Sequence, residues 1–162
     1  MIDTPAGKPL AEGDVAPDFT LPRDGGTEVT LSALRPRPVV LYFYPKDNTP
    51  GCTKQAIGFT CRQQDFEEAG GEILGVSKDS VKKHENFRAK HDLGVALLSD
   101  AESDVCERYG VFVEKKMYGK TFMGIERATF LIDAEGRIAR IWRKVKVDGH
   151  VEQVLDALRA LD

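Results

Sequence analysis

The chain has 162 residues, of which 41% are hydrophobic and 30% charged, a mixture typical of one soluble globular domain. Its 23 basic and 26 acidic side chains give a net charge of −3, which offers no basic surface for nucleic acid or an anionic membrane. The longest apolar run covers residues 39–44, far short of the ~20 residues of a membrane helix, and no apolar stretch near the first residue indicates a signal peptide.

The first predicted elements are a lead-in, a hairpin and a buried strand. Residues 1–14 are polar and contain Pro, Gly and Asp, which predicts a loose lead-in to a single domain spanning residues 1–162. Segments 18–21 and 28–31 flank a glycine-containing turn and predict a short β-hairpin. Residues 39–44 are apolar throughout and lie next to prolines, which is typical of a strand buried on both faces.

The remaining elements alternate between helices and strands. The pattern predicts four helices: one over 53–69 that is stopped by Gly70-Gly71, one over 80–91, a short one that ends near Tyr109-Gly110, and a last one that Asp148 caps. It predicts strands over 72–77, 96–98, 127–132 and 137–142. The last helix has one apolar stripe, formed by Val151, Val154, Leu155, Leu158 and Leu161. This order predicts an α/β fold with a mixed central sheet, helices on both faces and an N-terminal β-hairpin.

A cysteine follows the first buried strand at a position suited to chemistry. Thr49 is a good helix N-cap, and Pro50 fits the first helical position, so Cys52 falls in the first turn. Unpaired backbone N–H groups and the helix dipole both favour a thiolate there, and the thiolate is the reactive form. A small buried thiol is the alternative interpretation of any single cysteine.

Two segments resemble one family. Residues 39–53, which contain Pro45, Thr49 and Cys52 in a P-x-x-x-T-x-x-C pattern, resemble the active-site segment of peroxiredoxins, and most closely the peroxiredoxin Q or bacterioferritin comigratory protein branch. Residues 119–133 resemble the segment around that branch's active-site arginine, which corresponds to Arg127. The resemblance extends over nearly the whole chain and implies a thioredoxin-like fold.

The resemblance implies reduction of hydrogen peroxide or organic hydroperoxides by a cysteine, without a metal or another cofactor. Cys52 would attack the peroxide and become a sulfenic acid. Arg127 would favour the thiolate and the charge on the leaving oxygen. The Thr49 hydroxyl and the backbone N–H groups at Gly51 and Cys52 would bind the peroxide, and Pro45 would keep water away.

The other cysteines decide how Cys52 is recycled. Many members of the branch carry a resolving cysteine at the position of Ile57 or of Arg88. Cys61 remains a possible resolving cysteine, but nine helical residues separate it from Cys52 by about 13.5 Å, too far for a disulfide unless the helix unwinds. Cys106 is expected to be a packed core thiol. The favoured hypothesis is a one-cysteine mechanism with an external thiol, such as thioredoxin, glutaredoxin or glutathione.

Other functions fit the sequence less well. The cysteines show no C-x-x-C spacing, and Gly119-Lys120-Thr121 lacks the rest of a P-loop. The three histidines are scattered, which argues against zinc, and His84 and His91 on a charged helix are expected to be solvated. A redox sensor or chaperone with the same fold stays open as an alternative. The odd cysteine count favours a reducing cytoplasm, and the resemblance suggests a monomer.

Overall fold

The computed structural model describes residues 10–161, so residues 1–9 of the predicted lead-in lie outside the described part. The strands are β1 (Thr20–Pro22), β2 (Glu28–Thr30), β3 (Val39–Phe43), β4 (Glu72–Ser77), β5 (Ala96–Ser99), β6 (Phe112–Met117), β7 (Lys120–Ile125), β8 (Ala128–Ile132) and β9 (Ile138–Arg143). The helices are α1 (Pro50–Cys61), α2 (Gln63–Glu68), α3 (Val81–His91), α4 (Val105–Arg108) and α5 (His150–Arg159), and a 3-10 turn covers Leu31–Leu34.

The central sheet has five strands in the order β5-β4-β3-β8-β9. β3 pairs in parallel with β4 and antiparallel with β8, so the predicted mixed sheet is confirmed. All five residues of β3 are buried, because helices or loops cover both of its faces. The apolar run at residues 39–44 therefore forms the centre of the molecule.

Each face of the sheet has its own hydrophobic core. Alternate residues of β3 point to opposite faces, with Leu41 and Phe43 in one core and Val40 and Tyr42 in the other. The core around Tyr42 is completed by side chains from α1, α2, α3 and α5. The other core is completed by α4, the 3-10 turn and the β1–β2 hairpin. The predicted helices on both faces of the sheet and the predicted N-terminal hairpin are therefore confirmed.

Two helix ends differ from the prediction. The helix expected over residues 53–69 is interrupted at Arg62, where α1 ends and α2 begins. Asp148 does not cap α5; the N-cap is Gly149, with a left-handed φ of 75° and no side-chain cap. The Asp148 side chain is exposed and pairs instead with Lys54 of α1. The prediction failed because a glycine reaches this backbone conformation at low cost and displaced the start of the helix by one residue.

The β6–β7 hairpin was not predicted. Its turn is formed by Tyr118 and Gly119, with φ values of 54° and 77°, and both strands are largely exposed. Lysines and apolar residues are mixed along it, so neither face shows the clean alternation that marks a half-buried strand. Gly119 lies in this hairpin turn and not at a strand-to-helix junction, which agrees with the rejection of a P-loop.

The edges of the central sheet are covered by the N-terminal segment. Residues 10–14 are not a loose lead-in, because Gly13 N–H donates to the Ile138 carbonyl and Ile138 N–H donates to the Asp14 carbonyl, both at 2.8 Å. At the opposite edge, Asp24 N–H donates to the Leu97 carbonyl at 2.9 Å. Among the described residues, no helix is long and apolar enough to cross a membrane.

Candidate active site

Cys52 lies at the carboxyl end of the central strand. The chain leaves β3, passes through residues 45–49 and enters α1 at Pro50, whose missing N–H costs nothing in the first turn of a helix. Cys52 is in that first turn and only 1% exposed. The predicted strand-to-helix junction is therefore present, and the Cys52 side chain is buried within it.

Arg127 is brought to Cys52 by strand pairing. Phe43 at the end of β3 pairs with Ala128 at the start of β8, so the residue before Ala128 lies beside the loop that leads to α1. Arg127 Nη2 donates to Cys52 Sγ at 3.3 Å, and Nη1 donates to Gln55 Oε1 at 2.5 Å. The guanidinium is thus held at two points and directs one N–H at the sulfur.

Gly51 permits the close approach of Arg127. A Cβ added at Gly51 would lie 3.1 Å from Arg127 Nη2, tighter than ordinary side-chain contacts. The backbone N–H groups of Gly51 and Cys52 have no hydrogen-bond partner among the described residues. They are directed, as the first N–H groups of a helix are, toward the open end of α1, where they can bind an oxygen atom.

Thr49 occupies the predicted N-cap position of α1, but it does not form the side-chain hydrogen bond that is typical of an N-cap. It is the N-cap of α1 with an extended backbone, yet its side chain makes no capping hydrogen bond. Its Oγ1 donates instead to the Lys46 carbonyl at 2.8 Å, which folds the loop back on itself. Oγ1 keeps its capacity to accept a hydrogen bond. Pro45 is partly buried two residues after the end of the central strand.

Gln55 is a site residue that the sequence interpretation missed. It is fully buried and lies one turn after Cys52 on the same helix, so a spacing of three could have identified it. Its oxygen accepts from Arg127, whereas its amide nitrogen is buried without a partner among the described residues. Beneath the site, Tyr42 stacks on Phe59, and burial raises the pKa of its hydroxyl well above the usual range.

The prediction that His84 is solvated was wrong. His84 is 0% exposed, with Nδ1 2.7 Å from Asp47 Oδ2 and Nε2 2.8 Å from the Leu98 carbonyl oxygen. His91, also expected to be solvated, is partly buried against Asn48. Ligand atoms of Asp47, Asp79 and His84 lie within 4.8 Å of one another, a spacing that could hold a metal ion. Hydrogen bonds already occupy these atoms, since Asp79 Oδ2 accepts from Asp47 N–H and from the Ser77 hydroxyl.

Comparison with known proteins identifies the family to which the chain belongs. The model of the AhpC/TSA family matches residues 13–141 of the chain. The chain belongs to this family of peroxiredoxins. The putative peroxiredoxin Bcp of Coxiella burnetii is 54% identical to it over 146 residues, which cover 90% of this chain and 97% of that protein.

Solved structures of the same branch share the fold. Xylella fastidiosa PrxQ is 42% identical with a TM-score of 0.89, covering 95% of this chain and 98% of that one. The bacterioferritin comigratory protein of Xanthomonas campestris, described for its alkyl peroxide reduction activity, is 48% identical with a TM-score of 0.83, covering 88% and 90%. This chain is therefore a thioredoxin-like peroxiredoxin, and its activity is thiol-dependent peroxide reduction.

The other two cysteines of this peroxiredoxin lie apart from the site. Cys61 is exposed at the far end of α1, which is helical without a break from Pro50. Cys106 is buried in the core on the opposite face of the sheet, as expected for a packed thiol. Burial, with Asp100 nearby, raises the pKa of the Cys106 thiol far above its usual range, which disfavours the thiolate form that reacts.

Proposed function

We propose that Cys52 is the residue that attacks the peroxide. Its thiolate bonds to one peroxide oxygen, the O–O bond breaks, Cys52 becomes a sulfenic acid, and the other oxygen leaves as an alkoxide or hydroxide that takes up a proton. Arg127 supports this assignment most strongly, because its Nη2 donates to Sγ at 3.3 Å. The N–H groups at Gly51 and Cys52, which have no partner among the described residues, bind the peroxide oxygens together with the Thr49 hydroxyl, and Pro45 shields them from water.

Substitution of two of the cysteines tests this role. We expect Cys52→Ser to abolish the consumption of hydrogen peroxide in the presence of excess thiol, because serine does not ionise at neutral pH. Cys106→Ser, on the other face of the sheet, is the control and should retain turnover. Turnover by Cys52→Ser would overturn the assignment. A wild-type protein that consumes only one equivalent of peroxide would be a sensor and not an enzyme.

We further propose that an external thiol recycles Cys52. The sulfenic acid reacts with one thiol to give a mixed disulfide and water, and a second thiol releases the Cys52 thiol and a disulfide. Ile57 and Arg88 stand where other members of the branch carry a resolving cysteine. Cys61 is nine residues from Cys52 in unbroken helix, about 13.5 Å along the axis, beyond disulfide reach. Thioredoxin, glutaredoxin and glutathione are the candidate reductants.

Mass spectrometry separates this mechanism from the two-cysteine alternative. After one equivalent of peroxide, we expect the Cys52 peptide to gain one oxygen, about 16 Da, and a parallel sample with a sulfenic acid reagent to carry the reagent on the same peptide. Cys61→Ser should retain thiol-dependent turnover. A protein that loses about 2 Da and yields a crosslinked Cys52–Cys61 peptide would overturn the one-cysteine proposal.

We also propose that the protein is cytoplasmic and monomeric. An odd number of cysteines, one of them an exposed thiol, favours a reducing cytoplasm. We expect a monomer, and sedimentation equilibrium of the reduced protein measures this directly. A mass of twice 17.9 kDa would contradict it.

A further inference from the structure

The β6–β7 hairpin carries most of the large hydrophobic side chains that are exposed among the described residues. There are six such side chains, and four of them lie on this hairpin: Met117, Tyr118, Phe122 and Met123. Tyr118, at the turn, is 96% exposed. The hairpin forms a two-stranded sheet of its own, which no other strand of the described residues joins. Exposed apolar side chains grouped in one place are typical of an interaction surface.

The two faces of the hairpin differ in charge. Residues that are opposite each other in an antiparallel pair point to the same face, and the next pair along the strands points to the other face. One face carries Lys115, Met117, Lys120 and Phe122, and the other carries Glu114, Lys116, Thr121 and Met123. The first face has two lysines and no acidic residue, whereas Glu114 balances Lys116 on the second. We call the first the basic apolar face.

The basic apolar face is turned away from the body of the protein. At the base of the hairpin, Phe112 and Ile125 belong to the other face and pack against the hydrophobic core. The base is fixed, because Glu126 N–H donates to the Val111 carbonyl at 2.7 Å and Lys115 Nζ donates to the Ile125 carbonyl. The face is therefore presented to solvent on a well-anchored support.

The hairpin leads directly into the active site. Arg127, which donates to Cys52 Sγ, lies two residues after the end of β7. The strand covers about 17 Å from Lys120 to its end. A small protein domain is about 30 Å across, so one that binds the basic apolar face is large enough to reach Cys52 as well. A tripeptide such as glutathione spans only about 10 Å and cannot contact both.

We propose that the basic apolar face is the docking surface for the protein that carries the reducing thiol, and that this partner presents an apolar surface with carboxylates beside its own reactive cysteine. Neither Lys115 nor Lys120 forms a salt bridge among the described residues, so both can pair with a partner's carboxylates. A second copy of this chain is disfavoured, because two such faces would bring like charges together. The inference rests on the proposed recycling of Cys52 by an external thiol.

Recycling kinetics with protein thiols and a small thiol test this surface. Turnover at saturating hydrogen peroxide is measured with thioredoxin, with glutaredoxin and with dithiothreitol in wild type, Met117→Ser and Lys120→Glu. The matched controls lie on the other face of the same hairpin. Met123→Ser removes a side chain that is 54% exposed, against 57% for Met117, and Lys116→Glu makes the same change of charge as Lys120→Glu.

Losses should be confined to one face and to protein thiols. We expect kcat/KM for the better of the two protein thiols to fall about tenfold in Met117→Ser and in Lys120→Glu, and less than twofold in the two controls. Turnover with dithiothreitol should not change in any of the four variants, because a small thiol needs no docking surface. Added salt should lower kcat/KM more in wild type than in Lys120→Glu.

Several outcomes would overturn the proposal. These are equal losses in the variants of both faces, equal losses with dithiothreitol, wild-type kcat/KM in Met117→Ser and Lys120→Glu, and turnover with dithiothreitol but with neither protein thiol. A dimer of wild type that Met117→Ser abolishes would assign the face to a second copy of the chain instead. Binding to vesicles of anionic phospholipid that Met117→Ser abolishes would assign it to a membrane.

The result is independent of the test of Cys52. The hairpin variants all retain Cys52 and are compared with wild type, so a loss confined to protein thiols assigns the docking surface whichever cysteine reacts with peroxide. Conversely, absence of turnover in Cys52→Ser supports the proposed function even where the hairpin variants behave as wild type.

Discussion

At the scale of single residues, Gly51 controls how closely Arg127 approaches Cys52. Arg127 Nη2 lies 3.1 Å from the position that a Cβ at residue 51 would occupy, a contact tighter than ordinary side-chain contacts. Its other N–H is tied to Gln55, so it has little freedom to move aside and still donate to the sulfur. The contact between Arg127 and Cys52 therefore depends on the lack of a side chain at position 51.

We predict that Gly51→Ala lowers kcat/KM for hydrogen peroxide by roughly 10–100-fold, because the added methyl group displaces the guanidinium from Cys52. The matched control is Gly58→Ala in the same helix, where the added Cβ would meet Val151 Cγ2 at the same 3.1 Å but away from the site. Steady-state kinetics of both variants measure the effect. Equal losses would show that helix packing and not the position of Arg127 is responsible.

The sequence predicts some of these residues and not others for a physical reason. Cys52 follows from local rules, since a strand end, a cap and a proline fix its place on the helix. Arg127 is 75 residues away in sequence and was predicted only through the family resemblance. His84 was missed because burial depends on what packs against a helix, here Asp47 and β5, which the helix's own charged composition does not show.

At the scale of elements, the start of α5 shows how a glycine determines a helix end. Gly149 adopts a φ of 75° at the N-cap, and nothing within 4 Å would contact an added Cβ. The cost of a side chain there is purely conformational. Asp148, the residue that the sequence favoured as the cap, contributes only an exposed pair with Lys54.

We predict that Gly149→Ala lowers the free energy of unfolding by about 1 kcal/mol, because alanine is strained in the left-handed region. Asp148→Ala should change it by less than half of that, since exposed ion pairs contribute little. Urea unfolding followed by the fluorescence of Trp142, the single tryptophan, measures both variants. A larger loss of unfolding free energy in Asp148→Ala than in Gly149→Ala would indicate that Asp148 caps the helix.

Elements with continuous apolar runs were predicted well and the exposed ones poorly. β3, β4 and β8 are buried throughout or nearly so, and their continuous apolar sequences are typical of central strands. The β6–β7 hairpin has mostly exposed side chains, so burial imposes no pattern on its sequence. Its pairing depends on the Tyr118-Gly119 turn, where a tyrosine with positive φ is not a residue that sequence rules would choose.

At the scale of the whole molecule, stability in mild acid depends on a buried histidine that joins α5 to the sheet. His150 Nε2 lies 2.8 Å from the Thr129 hydroxyl of β8, and its ring packs edge-on against Trp142. Burial, with the nearby Arg127 cation acting in the same direction, lowers the pKa of His150 from 6.5 to about 4. The folded protein therefore keeps this histidine neutral where the unfolded chain protonates it.

We predict that the free energy of unfolding falls as the pH drops from about 6.5 to about 4, by up to roughly 3 kcal/mol from this residue, because the unfolded state binds the extra proton. The contribution is complete above pH 6.5. His150→Gln should be less stable at neutral pH but lose less stability on acidification. Urea unfolding at several pH values measures the two slopes, and identical slopes would contradict the assignment to His150.

The covering of both sheet edges limits how this chain can associate with other chains. An exposed strand edge is a template onto which another chain can add a strand, which leads to aggregation. Here Gly13 and Asp14 occupy the backbone groups of Ile138, Glu12 accepts from Ile141 N–H, and Asp24 occupies both backbone groups of Leu97. None of these contacts involves the loop that leads to α1 or the first turn of that helix. The active site and the protected strand edges therefore depend on different contacts.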